Sequence, residues 1–176
     1  MDFKDLQYLR NGSKIQQLAY RELSDLKIMS ILKEFKPVLT GTIPIDIATT
    51  SSDLDISCEV KNHAEFKQKL HDQYAEKPSF HFRTTSNFGK IASICSFEAE
   101  NFEIEIFGQN LPVAKQNAYR HMIIENKILK ENDKNFRREI IKLKEEGLKI
   151  EPAFAQLLQL KGDPYQELIN YEKELF

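Results

Sequence analysis

Val38-Leu-Thr-Gly-Thr-Ile-Pro-Ile-Asp-Ile-Ala-Thr-Thr-Ser-Ser-Asp-Leu-Asp-Ile-Ser-Cys-Glu-Val60 opens with a short apolar run that stops at Gly41-Thr42. A polar loop follows, and a second strand then begins with aspartates at alternate positions, Asp53 and Asp55. Successive strand side chains point to opposite faces, so the two carboxylates share one face, while Leu54, Ile56, Cys58 and Val60 share the other. Two close carboxylates repel and raise each other's pKa unless a cation stands between them. The matching cation is hard and oxygen-loving, with magnesium first and manganese as its substitute. Gly41-Thr42 presents backbone N–H groups and a hydroxyl at a strand end, a common way to cradle phosphate. A phosphate cradle beside paired metal carboxylates predicts phosphoryl or nucleotidyl transfer.

With 176 residues the chain has room for one domain, or for one domain with a helical appendage. An apolar fraction of 41% and a charged fraction of 30% suit an ordinary soluble fold with a real core. The formal charge of -2 argues against coating nucleic acid, so no extended nucleic-acid-binding surface is expected. No run of about 18 apolar residues occurs, which predicts no membrane span. The start, Met-Asp-Phe-Lys-Asp-Leu, lacks the basic-then-apolar order of a signal peptide. Cys58 and Cys95 lie in apolar, strand-like segments and read as reduced packing residues; with the missing leader they predict a cytoplasmic protein.

Upstream of the opening stretch, Ser13-Lys-Ile-Gln16 reads as a capping box that starts helix over 13–35, as one helix or two around Ser24-Asp25. Pro37 ends it and feeds the first strand. Downstream, a helix is expected at 62–74, with Phe66 and Leu70 inward. Strands follow near 79–86 and 90–97, with turn chemistry at Asn87-Phe-Gly89 between them. Phe102-Glu-Ile-Glu-Ile-Phe107 alternates most strictly, and Gly108 is expected to end it. Four helices then close the chain. Asn132 or Asp133 caps the second, Gly147 ends it, Gly162 ends the third, and Asp163-Pro164 starts the fourth with Leu168, Ile169 and Leu175 as its stripe. The order is mixed α/β to about residue 110, then all helix.

Glu103 and Glu105 share the face opposite Phe102, Ile104 and Ile106. They are either a solvated surface or a source for the third carboxylate of a two-metal site, with Glu103 competing against Glu105 for that place. Asp-Leu-Asp as a haloacid-dehalogenase nucleophile motif needs a buried strand before it, and Ala48-Thr-Thr-Ser-Ser52 is none. A glycosyltransferase needs a nucleotide-binding half upstream, for which 52 residues leave no room. On the helix from 114, Asn117, His121 and Glu125 align at i, i+4 and i+8 as a polar seam. The seam is either a structural His121–Glu125 pair or a wall of the cleft. Arg120 reads as a surface arginine or a contact to triphosphate, and Lys149 as solvated helix surface or an ammonium directed toward the cleft. The interleaved charges of 127–149 otherwise read as solvated helix surface.

Leu39-Thr-Gly41-Thr42, ten intervening residues, Asp53-Leu-Asp55-Ile and the later Ile-Glu105-Ile resemble the polymerase-beta-like nucleotidyltransferases over about 70 residues. The whole chain is similar to a bacterial family, domain of unknown function 4269. That likeness includes Ser52-Asp-Leu-Asp55, Phe107-Gly-Gln109, Ala118-Tyr-Arg-His-Met122 and Gly147-Leu-Lys-Ile-Glu-Pro-Ala-Phe154. The resemblance implies a mixed β-sheet flanked by helices over 1–110, an α/β (α+β) nucleotidyltransferase-like core, with a C-terminal helical bundle over 111–176. It implies that Asp53 and Asp55 bind metal, that Glu105 joins them and activates the acceptor, and that Gly41 and Thr42 grip the triphosphate. Ser52, Arg120, His121 and Lys149 complete the candidate nucleotide-binding set. The expected partners are a nucleoside triphosphate and an acceptor hydroxyl of small molecule, protein or RNA. The alternative is a catalytically inactive nucleotide-binding or protein-interaction module on the same fold.

Overall fold

Ser13 and Gln16 form the capping box in full: Ser13 Oγ accepts from Gln16 N, and Gln16 Oε1 accepts from Ser13 N at 3.1 Å. The computed structural model describes residues 3–87 and 90–175. After a short α1 (Gln7–Arg10) the capped helix is α2 (Lys14–Asp25), which breaks before α3 (Ile28–Ile31) where Lys27 takes a left-handed φ of 54°. A 3-10 turn at Lys33–Phe35 leads into β1 (Val38–Thr40). Then follow β2 (Leu54–Glu59), α4 (His63–Tyr74), β3 (His81–Asn87), β4 (Lys90–Glu98) and β5 (Glu103–Gln109). Helices α5 (Asn117–Glu131), α6 (Lys134–Glu145), α7 (Ile150–Leu157) and α8 (Pro164–Leu175) complete the chain. The turn residues Phe88 and Gly89, and the Leu175 side chain of the expected stripe, lie outside the described residues.

The sheet has the order β1-β2-β5-β4-β3 and is mixed, with β2 and β5 parallel and every other pair antiparallel. Because side chains alternate, the sheet divides its residues between two cores. Leu39, Leu54, Ile56, Cys58, Ile104 and Ile106 pack with α1–α4 through Leu23, Ile28, Phe66 and Leu70. On the other side Val38 joins Met122, Ile128, Ile140, Phe154 and Leu168 from the four later helices, together with Ile45 and Ile47 of the β1–β2 loop. Cys58 and Cys95 are free and buried.

Two glycines act differently from the expectation. Gly108 lies inside β5 rather than ending it. A Cβ there would stand 2.6 Å from Val60 and 2.7 Å from Phe66, so its bare backbone lets α4 close on the sheet. Gly162 does not end α7. Gln159 takes the left-handed position at φ 57°, and Leu160 N bonds back to Ala155 O at 2.9 Å. Gly147 does end α6 as expected, with Gly147 N bonded to Lys144 O and Leu148 N to Leu143 O, the two bonds of a Schellman turn. Asp133, not Asn132, caps that helix through Asn135 N and Phe136 N. No helix among the described residues is long and apolar enough to cross a membrane.

Candidate active site

Strands β1, β2 and β5 lie side by side, and their register places Thr40, Asp55 and Glu105 in one row across the sheet. Asp53 stands two residues before Asp55 at the mouth of β2. These carboxylates line one cavity of about 1250 Å³ between the sheet and the later helices. Gly41, Thr42, Ser52, Arg120, His121 and Lys149 line the same cavity, so every candidate residue of the sequence but one meets there. Glu103 does not line it; it is exposed and pairs in register with Glu98.

The loop from Gly41 to Ser52 is held by its own hydroxyls. Thr42 Oγ1 donates to Ser52 Oγ at 3.2 Å, and Thr49 N donates to the same oxygen at 2.9 Å. Gly41 has φ +79°, and a Cβ on it would stand 2.5 Å from Asp55 Oδ2. Glycine is needed here on both counts: the left-handed backbone and the close carboxylate.

Electrostatics set this site apart. Burial first, then Asp53, Glu105, Glu151 and Glu103, push the Asp55 carboxyl up to about 7. Burial and Asp53 also raise Glu105, while Arg83 opposes the rise. Across the cavity Glu125 is 1% exposed, and its burial raises its pKa well above the usual range. Its Oε1 has no hydrogen-bond partner among the described residues.

Lys144 stands between these acids. Its ammonium donates to Ile47 O at 2.8 Å and lies 3.5 Å from Ser52 Oγ. Burial lowers its pKa to about 8 against the pull of Glu125, Asp53 and Asp55. The sequence reading left Lys144 on a solvated surface. It follows Ile140, which is fully buried, by four residues, and that spacing was the available signal.

Two candidates are already engaged. The Arg120 guanidinium is paired with Glu172 of α8. His121 is 5% exposed, with Nε2 2.9 Å from the Tyr165 carbonyl and Nδ1 3.3 Å from Glu151. The seam pair is therefore His121–Glu151 rather than His121–Glu125, because the first turn of α7 brings its own carboxylate to the ring. Lys149 is exposed at the cavity wall.

Among the described residues, no group of three His, Cys, Asp or Glu side chains converges closely enough to hold a metal. The donors still fit magnesium, which takes one or two carboxylates and fills its shell with water and substrate phosphate. Asp55, raised first by burial and then by its acidic neighbours, is a carboxyl whose ionised form such a cation would stabilise.

The sequence profile of Domain of unknown function (DUF4269) matches residues 21–171. The chain belongs to this family. No curated protein matches this DUF4269 chain in sequence. Solved structures do match its fold. A structure of the Cid1 poly(U) polymerase with magnesium and 3′-dATP bound superposes with a TM-score of 0.54 at 14% identity, covering 89% of this chain and 48% of that one. The GLD-2/RNP-8 complex gives 0.55 at 11% identity, over 85% and 60%. A cytoplasmic RNA terminal U-transferase gives 0.50 at 13% identity, over 75% and 39%. The DUF4269 chain thus has a nucleotidyltransferase-like fold and spans about 40 to 60% of these longer chains.

Proposed function

We propose that this protein transfers a nucleoside monophosphate from a nucleoside triphosphate to an acceptor hydroxyl, with magnesium or manganese as cofactor. One observation carries the reading: Asp55 and Glu105 are in register on parallel neighbours, with Asp53 and the Gly41-Thr42 turn opening on the same cavity. The likeness to transferase structures supports it at the level of fold.

Asp53 and Asp55 would hold the metal, which when bound would screen and polarise the phosphates. The Gly41-Thr42 turn and Ser52 grip the triphosphate, and Lys144 and Lys149 offset its charge. The acceptor oxygen forms a bond to the α-phosphorus. The bond from that phosphorus to the oxygen bridging to the β-phosphate breaks, pyrophosphate leaves, and the hydroxyl proton passes to Glu105. A half-buried carboxylate with a raised pKa is suited to take it. Arg120 and His121 support the helical wall through Glu172, Tyr165 and Glu151, and reach nucleotide only after those bonds open.

Pyrophosphate release tests this, with each of the four nucleoside triphosphates, magnesium and a panel of hydroxyl compounds. Release should be lost by at least a hundredfold in Asp53→Asn and Asp55→Asn. A nucleotide that binds without any release, in wild type and variants alike, favours the inactive binding module.

A further inference from the structure

Past the carboxylates the cavity runs over a lip of Lys90, Gln109 and Leu111 into a second hollow of about 310 Å³. Lys61, His63 and Ile91 line this hollow, and no carboxylate is among the described residues around it. Lys61 and Lys90 are exposed, and their ammonium groups make no hydrogen bond or ion pair among the described residues. By contrast, Lys36, Lys69 and Lys127 each hold a glutamate. His63 Nδ1 shares a 2.8 Å hydrogen bond with Oγ of the fully buried Ser93, which fixes the ring and leaves Nε2 as its remaining polar edge. Ile91 is 48% exposed, an apolar strip beside these cations.

Building on the nucleotidyl-transfer reading, we infer that this hollow binds the acceptor, and that the acceptor is a small hydroxyl compound carrying a phosphate group. Lys61, Lys90 and the His63 ring edge face the phosphate, and Ile91 covers the carbon skeleton. Glu105, Phe107 and Gln109 share one face of β5, so the lip stands on the order of 13 Å along the strand from Glu105. The acceptor is therefore elongated, with phosphate at one end and the attacking hydroxyl at the other. The hollow has the size of a small-molecule site and not of a polynucleotide track. In the transfer the acceptor's own phosphate is untouched. Its hydroxyl oxygen gains the nucleotidyl group, pyrophosphate leaves, and Glu105 takes the proton.

The test is a titration of the full chain with glucose 6-phosphate, followed by NMR on the His63 ring, with glucose and a short RNA bearing a 5′-phosphate as separate arms. Glucose 6-phosphate should shift the ring resonances saturably, and glucose should not. In the double variant Lys61→Ala/Lys90→Ala, with unchanged circular dichroism, the apparent Kd should rise at least tenfold. In Lys14→Ala, a distant exposed lysine, it should not change. An absent shift, an equal response to glucose, a response only to RNA, or a shift that survives the double variant overturns the inference. Pyrophosphate release, run in parallel, separates the two readings. Release that is indifferent to phosphate on the acceptor removes the acceptor site alone. A His63 response without release from any acceptor leaves the phosphate site standing and removes transfer.

Discussion

Gly41 meets two constraints that alanine fails, a φ of +79° and an Asp55 oxygen 2.5 Å from where a methyl would stand. Gly41→Ala is expected to cost about 1–2 kcal/mol in denaturant unfolding, the usual penalty of a left-handed non-glycine residue. It should also lower turnover more than tenfold, since the carboxylate must turn aside. Asp55 itself makes stability depend on pH. Its carboxyl rises from 3.8 to about 7 on folding, so the folded state prefers the protonated form. That contribution is full below about pH 4 and is lost as pH rises toward 7. Without metal, Asp55→Asn should therefore stabilise the protein at pH 8 by roughly 2–4 kcal/mol and have no effect near pH 4, as read by thermal unfolding across that range. That Asp53 and Asp55 open on one cavity was legible from their alternate spacing, although β2 itself begins only at Leu54. The His121 partner was not, because Glu151 comes from another helix thirty residues on, and helical spacing offered only Glu125.

Helix ends were legible where side-chain chemistry is local. Ser13 with Gln16, Asp133, Gly147 and Asp163 all cap as their residue types suggest. They were illegible where packing forces a residue into an unfavoured conformation, as at Lys27 and Gln159, neither of them glycine. Glycines inside and outside the sheet should be destabilised to different extents. Gly147→Ala meets open space, so only its φ of +97° opposes it, and about 1 kcal/mol is expected. Gly108→Ala must push Val60 and Phe66 apart in a closed core and should cost more, about 1–3 kcal/mol. Equilibrium unfolding of the two variants side by side checks the order, and equal losses would contradict the assigned place of Gly108. Lys144 belongs to this scale too. Its place four residues after Ile140 sets it beside the buried stripe of α6, but only the seating of α6 against the β1–β2 loop turns it toward the carboxylates.

Across the molecule, the helical wall and the sheet share bonds through the β1–β2 loop and through β2 itself. Arg137 donates to Ile45 O at 2.7 Å and to Asp46 O at 2.8 Å, Lys144 donates to Ile47 O, and Gln116 Nε2 reaches Cys58 O at 2.9 Å. Ile45 and Ile47 are buried against those same helices. We therefore expect residues 1–110 and 111–176 to unfold in one calorimetric transition, and a chain cut after residue 110 to aggregate; two separate transitions would contradict this. The proposed transfer depends on the same joint, because Asp53, Asp55 and the Gly41-Thr42 turn, to which it assigns metal and phosphate, flank that loop. Soaking crystals with manganese and a non-hydrolysable nucleoside triphosphate, and locating the metal by anomalous scattering, tests this centre directly. The expected result is a peak within about 2.2 Å of carboxylate oxygens of both Asp53 and Asp55, with the phosphates over Gly41-Thr42. Manganese bound elsewhere, or a nucleotide seated away from these aspartates, would contradict the account.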